Sequence, residues 1–227
     1  MNLKNKDIEM VFGNDIDKAF EEITILTLNQ FAKKFNMGRR IDIIRFLSQC
    51  KHEIQFVTKD CKKIPRLEEN LNFKDKTLIL LSSFWRTHQK KLEEVRKLPK
   101  KEQFKIIMNG WYNGRMGNRI DTDDGRIYVG HGCLMVTGRT TTLKCLRHIE
   151  KVTGIECLNG DTPIDGIFQR YDIFWLLGMA YWDLNKMYEC SNTKECTNIV
   201  NRGLPQDIKT MRLQTAISLK HSSFLEE

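Results

Sequence analysis

Six glycines crowd into residues 113–139, at 114, 117, 125, 130, 132 and 138, a density unlike the rest of the 227-residue chain. Glycine disfavours regular helix and permits tight turns and close approach of backbone to a ligand. That stretch is therefore expected to be irregular or to hold a small β element. On both sides of it, apolar residues recur at helical spacing. Ile16, Phe20, Ile23, Phe31 and Phe35 line one helix, capped at Asn14 or Asp15 and ended by Gly38. Ile41, Ile44, Leu47 and Cys50 line the inner face of a second, over residues 41–53. Residues 54–74, with Pro65, have poor periodicity and read as loop or short extended pieces. Asp75 is placed to cap a helix through Leu78, Leu81 and Trp85 to about residue 97, stopped by Pro99. Shorter helices follow over 101–113 and 142–152. Thr162-Pro163 then opens one filled by Ile167, Phe168, Phe174, Trp175, Leu177, Tyr181 and Trp182, and a last covers about 206–219. The aromatic stripe reads as core. With no repeat, low-complexity tract or Pro/Ser linker, the expectation is a single α-rich α+β domain over 1–227.

Charge narrows the partners. The chain holds 37 Lys+Arg against 29 Asp+Glu, and residues 61–105 alone carry 13 against 6, a net +7. A basic arm of this kind favours polyanions such as nucleic acid, anionic lipid or envelope polymers; its bland alternative is a solvated helical face, with Glu93 and Glu94 as surface pairs. No nucleic-acid signature accompanies the charge, so nucleic acid is not expected as a partner. The 12 Phe, 5 Tyr and 4 Trp exclude disorder. The longest aliphatic run, 78–81, is far short of the roughly 20 residues that span a bilayer, so no stable membrane insertion is expected. The start, MNLKNKDIEM, lacks the apolar region of a secretory signal, which implies a cytoplasmic protein until something releases it. Seven cysteines, an odd number without C-x-x-C, read as reduced thiols, with Cys190 and Cys196 able to pair if the protein is exported. Neither a metal nor a cofactor is expected.

The chemistry then falls to carboxylates. G-x-S-x-G, H-E-x-x-H, the P-loop and G-x-G-x-x-G are all missing from the sequence. Gly130-His131-Gly132 is too short for a nucleotide site, and His131 with Cys133 lacks an orienting third group. What remains is Glu53, ending an amphipathic helix in FLSQCKHE (46–53). A carboxylate there faces the negative end of the helix dipole, which raises its pKa and suits it to donate a proton.

FLSQCKHE resembles the F-L-A-Q-x-x-H-E of glycoside hydrolase family 19, the chitinase-like family that includes many phage endolysins. EENLNF (68–73) is similar to its E-E-N-L-N-Y, and NGRMGN (113–118) to its N-R-M-G-N. DGRIYVGHGCLMVTGR (124–139) resembles D-G-x-x-Y-x-G-R-G-x-I-Q-L-T-G-R, and NIVNRG (198–203) resembles N-I-V-N-G-G. The blocks occur in family order, and Arg212 falls near the family's arginine in the following helix. The resemblance implies a lysozyme-like fold with a substrate cleft, and inverting hydrolysis of a β-1,4 link beside an N-acetylated amino sugar in peptidoglycan or chitin. The protein is expected to be a monomer. An inverting pair needs one carboxylic acid for the leaving oxygen and a second carboxylate for water, about 6.5–9.5 Å apart. Glu53 matches the general acid and Glu69 the second carboxylate, with Asp60 and Glu68 as alternatives for the base. His52, Tyr128, Thr137 and Asn201 match substrate-binding positions, and Arg212 is implied to pair below the cleft and hold Glu53. The sequence departs from the family at His131, Met135, Thr141, Thr142 and Arg202. Met and Thr cannot replace the sugar-binding amides like for like, which leaves a drifted wall-binding protein as the competing expectation. The compact motif set and the basic arm favour peptidoglycan and an endolysin.

Overall fold

The structure, a computed structural model, describes residues 2–69 and 74–225. Residues 70–73 of the EENLNF phrase lie outside the described residues. Helix α1 (Asn5–Phe12) buries Ile8, Val11 and Phe12 and precedes α2 (Lys18–Phe31). The cap of α2 is Asp17, which accepts the Phe20 N–H at 3.0 Å, rather than Asn14 or Asp15; the Asp15 carboxylate pairs with Lys63 at 2.9 Å. Nor does α2 run to Gly38. A 3-10 turn, Ala32–Phe35, tightens its end, and Asn36 takes a left-handed conformation (φ 56°) with its amide donating to Asp183 at 2.7 Å.

Helix α3 (Arg40–Glu53) buries Ile43, Ile44, Phe46, Leu47 and Cys50, so Glu53 sits at its last position. Strands β1 (Phe56–Lys59) and β2 (Lys62–Pro65) then pair as an antiparallel hairpin, turning through Asp60 and Cys61, both at positive φ. The single helix expected over 75–97 is three: α4 (Asp75–Leu81), α5 (Ser83–Thr87) and α6 (Gln89–Val95). Ser82 is extended and its hydroxyl accepts the Trp85 N–H at 3.3 Å, so its side chain competes with helix continuation and starts a new one. The three pieces fold Leu78, Trp85, Leu92 and Val95 against α7 (Lys100–Tyr112), forming a small core separate from the main one.

The glycine-rich stretch holds turns, isolated bridges and the short α8 (Asp124–Ile127). It is irregular, one of the two forms expected of it, and the regular strands lie outside it: in β1–β2, and in the small pair β3 (Leu158–Asn159) and β4 (Thr162–Pro163) that follows α9 (Arg139–Thr153). Thr162-Pro163 is thus a strand and does not open a helix. Helix α10 (Tyr171–Leu184) begins after Gly166 (φ 74°) and a 3-10 turn. Helices α11 (Thr193–Asn201) and α12 (Gln206–His221) close the described chain.

Helix α10 carries the main core. Ile173, Phe174, Trp175, Leu176, Leu177, Met179, Ala180 and Trp182 are all buried, and the Trp175 indole donates to Thr24 at 2.8 Å. Two glycines seat the glycine-rich loop on this helix. A Cβ on Gly178 would lie 2.2 Å from Cys133 Sγ, and one on Gly132 (φ 74°) would lie 2.9 Å from Leu177 Cβ. Among the described residues, no helix is long and apolar enough to cross a membrane. All seven cysteines are free thiols.

Candidate active site

A cavity of about 370 Å³ is lined by His52, Glu53, Gln55, Glu69, Leu134, Met135, Thr137, Val200 and Asn201. Five of the seven residues singled out from sequence meet here, from four separate segments. Glu53 and His52 come from the end of α3, Glu69 from the strand-like run after β2, Thr137 from the glycine-rich loop and Asn201 from the end of α11.

Glu53 is held from beneath. Arg212, on α12, forms an ion pair with Glu53 Oε1 through Nη2 and donates to Gln49 Oε1 through Nη1 at 2.9 Å. Gln49 and Glu53 are one helical turn apart on α3, so one guanidinium reaches both. Thr197 of α11 also donates to Gln49, at 3.2 Å. The Arg212 side chain is 1 % exposed and that of Glu53 19 %, so the pair has one buried end and one end open to the cavity. The helix dipole that sequence reasoning invoked at Glu53 thus acts beside a stronger, opposing charge.

Glu69 stands in different surroundings. Its Oε2 accepts from the Tyr112 hydroxyl at 3.1 Å and from the Gly130 N–H at 3.3 Å, and its own N–H donates to the Gly130 carbonyl at 2.7 Å. Burial pushes its carboxyl above the ordinary carboxylate range, the two hydrogen bonds pull it back, and the Glu53 charge adds to the rise. Gly130 keeps this contact close: a Cβ there would lie 3.3 Å from both Glu69 and Met135, tighter than an ordinary contact. Tyr112 belongs to the small core and Glu53 to the helix packed into the main one, so the cavity lies where the two cores meet.

The alternatives to Glu69 point elsewhere. Glu68 pairs with Arg126 at 3.1 Å and lines a separate groove. Asp60 is exposed at the hairpin turn. Adjacent residues of an extended segment face opposite ways, which is why Glu68 and Glu69 part.

The other residues take distinct places. His52 Nε2 lies 3.0 Å from Thr215 Oγ1, and burial, with Arg212 and Lys51 nearby, holds its imidazole below the usual value. Thr137 donates to the Met135 carbonyl at 2.9 Å, and Asn201 Oδ1 accepts the Gly203 N–H at 3.0 Å. Met135, at φ 48°, presents its side chain to the cavity where the resembling family has Gln. Tyr128 departs from expectation. It is 2 % exposed, does not line this cavity, and lies near Asp124 and Arg139. Asp124 pins that neighbourhood by pairing with Arg119 at 2.9 Å, which assigns Tyr128 to the loop's packing.

His131 is also structural. It stacks on Phe168 (centroids 4.0 Å, 5° between planes), its Nε2 donates to the Ile127 carbonyl at 2.9 Å, and burial pushes its pKa down to about 4. Sequence reasoning missed Tyr112 and Gln49, which position the carboxylates. Gln49 stands four residues before Glu53, the one local signal that could have found it. No protein-family model matches the chain, and no curated protein matches it.

Proposed function

We propose that this chain is an endolysin-type glycoside hydrolase with a lysozyme-like arrangement, cleaving β-1,4 links beside N-acetylated amino sugars in bacterial peptidoglycan. The observation that carries the reading is the shared cavity: Glu53 and Glu69, held by different partners, face one space with His52, Thr137 and Asn201. Acid/base glycoside hydrolysis uses two carboxylates facing one space, and burial raises the proton affinity of one of this pair, Glu69.

In the inverting scheme that the resemblance implies, Glu53 protonates the departing glycosidic oxygen. Glu69 takes a proton from a water that attacks the anomeric carbon from the opposite face. A base that is stronger than an ordinary carboxylate, as burial makes Glu69, does this better near neutral pH. Arg212 fixes the position of Glu53 and stabilises the carboxylate left after proton transfer. Thr137 and Asn201 supply polar contacts to the sugar, and Met135 an apolar one.

One observation favours the exchanged roles. Burial favours a protonated Glu69, which suits it to the acid role. The two assignments predict different rescue behaviour.

The test is clearing of purified peptidoglycan by wild type, Glu53→Gln and Glu69→Gln, with the released sugar ends identified. Clearing by wild type alone, with new reducing ends, supports the reading. Wild-type inertness on peptidoglycan together with cleavage of chitin oligomers would move the substrate to chitin. Inertness on both, with retained wall binding, would replace the enzyme by a binding protein.

A further inference from the structure

Residues 74–105 of the basic arm line no part of the carboxylate cavity. Residues 74–105 hold ten Lys/Arg against four Asp/Glu. Two of these cations are tied up in ion pairs, Arg96 with Asp75 and Lys105 with Asp123. Lys76, Arg86, Lys90, Lys91, Lys100 and Lys101 have no carboxylate partner among the described residues and are exposed. This alone describes a solvated surface. A second feature changes its meaning: Leu80 and Leu81 end α4 with 68 % and 57 % of their surface open to solvent. Leu78 of the same helix is completely buried, so the helix presents one leucine to the small core and two outward.

A cation stands beside those leucines. The Arg86 guanidinium donates to the carbonyls of Leu80 (2.8 Å) and Ile79 (3.3 Å), which places a fixed positive charge beside the apolar pair. On α5, Phe84 stacks on His88 (centroids 4.2 Å), and the Lys91 ammonium sits 5.6 Å from the Phe84 ring centre. Beneath them Trp85 is fully buried, with its indole bonded to the Ile107 carbonyl at 3.2 Å, and Phe84 packs against the same small core.

We propose that this face of the arm adsorbs to an anionic lipid surface, with Leu80 and Leu81 entering the headgroup boundary and Arg86, Lys90 and Lys91 meeting lipid phosphates. The leucines decide between polyanions. A polysaccharide or nucleic acid would pair with the cations and leave the leucines in water. A bilayer interface accepts both, since peripheral binding combines buried apolar area with attraction to anionic headgroups. Adsorption of this kind needs no membrane-crossing helix, and it is independent of the glycosidase reading.

The experiment is co-sedimentation of the full chain with phosphatidylcholine vesicles and with vesicles of equal parts phosphatidylcholine and phosphatidylglycerol. The expected result is binding to the anionic vesicles alone, weakened by added salt. Leu80→Ser/Leu81→Ser and Lys90→Glu/Lys91→Glu should each weaken it by about tenfold or more. All four positions are exposed, so melting temperatures should stay near wild type; if the leucine pair failed to fold, Leu80→Gln alone would carry the same reading. Absence of binding to the anionic vesicles overturns the proposal. So does binding that the leucine substitutions leave unchanged, which, with equal binding to polyphosphate, would make the arm a general polyanion binder.

Discussion

Arg212 of α12 and Glu53 of α3, 159 residues apart in sequence, form an ion pair whose cationic end is sealed and whose acidic end opens into the cavity. Its energetics are asymmetric. Removing the arginine leaves a partly buried carboxylate and the Gln49 oxygen without that donor, which costs more than the pair itself contributes. Arg212→Met should lower stability by about 3 kcal/mol and reduce wall clearing along with it. Urea unfolding checks the first, and an unchanged midpoint would show that the pair is not a structural link.

The carboxylate roles separate by rescue. With Glu53 as acid, Glu53→Gln should lose about 10²–10⁴-fold on natural substrate but far less on a substrate with an activated leaving group. Glu69→Gln should lose a similar factor and recover in azide, which needs no general base. Exchange of these two behaviours would assign the acid to Glu69. Proton NMR of the first-formed anomer, inverted relative to the cleaved link, checks the inverting scheme itself.

Tyr112 tunes Glu69. Its hydroxyl donates to Glu69 and so favours the ionised form. Tyr112→Phe should therefore move the acid limb of the pH–rate profile to higher pH. A shift to lower pH would show that the hydroxyl does not stabilise the charge. The same raised pKa has a stability consequence. The folded state holds the Glu69 proton more tightly than the unfolded chain, so stability falls as pH rises from the ordinary carboxylate value through the folded one. Glu69→Gln should raise the melting temperature at neutral pH and leave it nearly unchanged at acidic pH, where both states are protonated.

His131 reports the opposite sign. Its folded pKa is pushed down to about 4, against an unfolded value near 6.5. The unfolded chain binds the proton first, so this contribution to stability is complete above about pH 6.5 and is lost as pH falls toward 4. Replacing His131 by Phe should flatten that part of the stability–pH curve. Thermal melts at a series of pH values check this, and an identical slope in the variant would mean that another group titrates there.

Much of the helical frame was legible in sequence because helix periodicity is a local property. Ile44, Leu47 and Cys50 of α3 are buried as their spacing implied, and Glu53 ends the helix. The break of 75–97 into three helices was not legible. Ser82 begins a new helix because Trp85 and Leu92 must reach a core completed by α7, and no pattern within the segment reveals that partner. The helix placed at Thr162-Pro163 failed for a related reason. Proline suits a first helical turn and a strand edge alike, and pairing with Leu158–Asn159 chose the strand.

The sequence by itself determined the residue types that can act, the carboxylate at a helix end, the glycines that let a loop press on α10, and a strongly basic arm. These follow from spacing over a few residues and from composition. Only the tertiary structure decided that Glu68, an alternative base by sequence, turns to Arg126 and a separate groove while Glu69 shares the cavity with Glu53, that the Arg212 end of its pair with Glu53 is sealed, and that Tyr128 packs under the loop instead of lining the cavity. Those choices depend on which side of an extended strand, or which face of a distant helix, meets a given space once the cores have packed. That packing is a cooperative property of segments far apart in the chain, beyond what neighbouring residues encode.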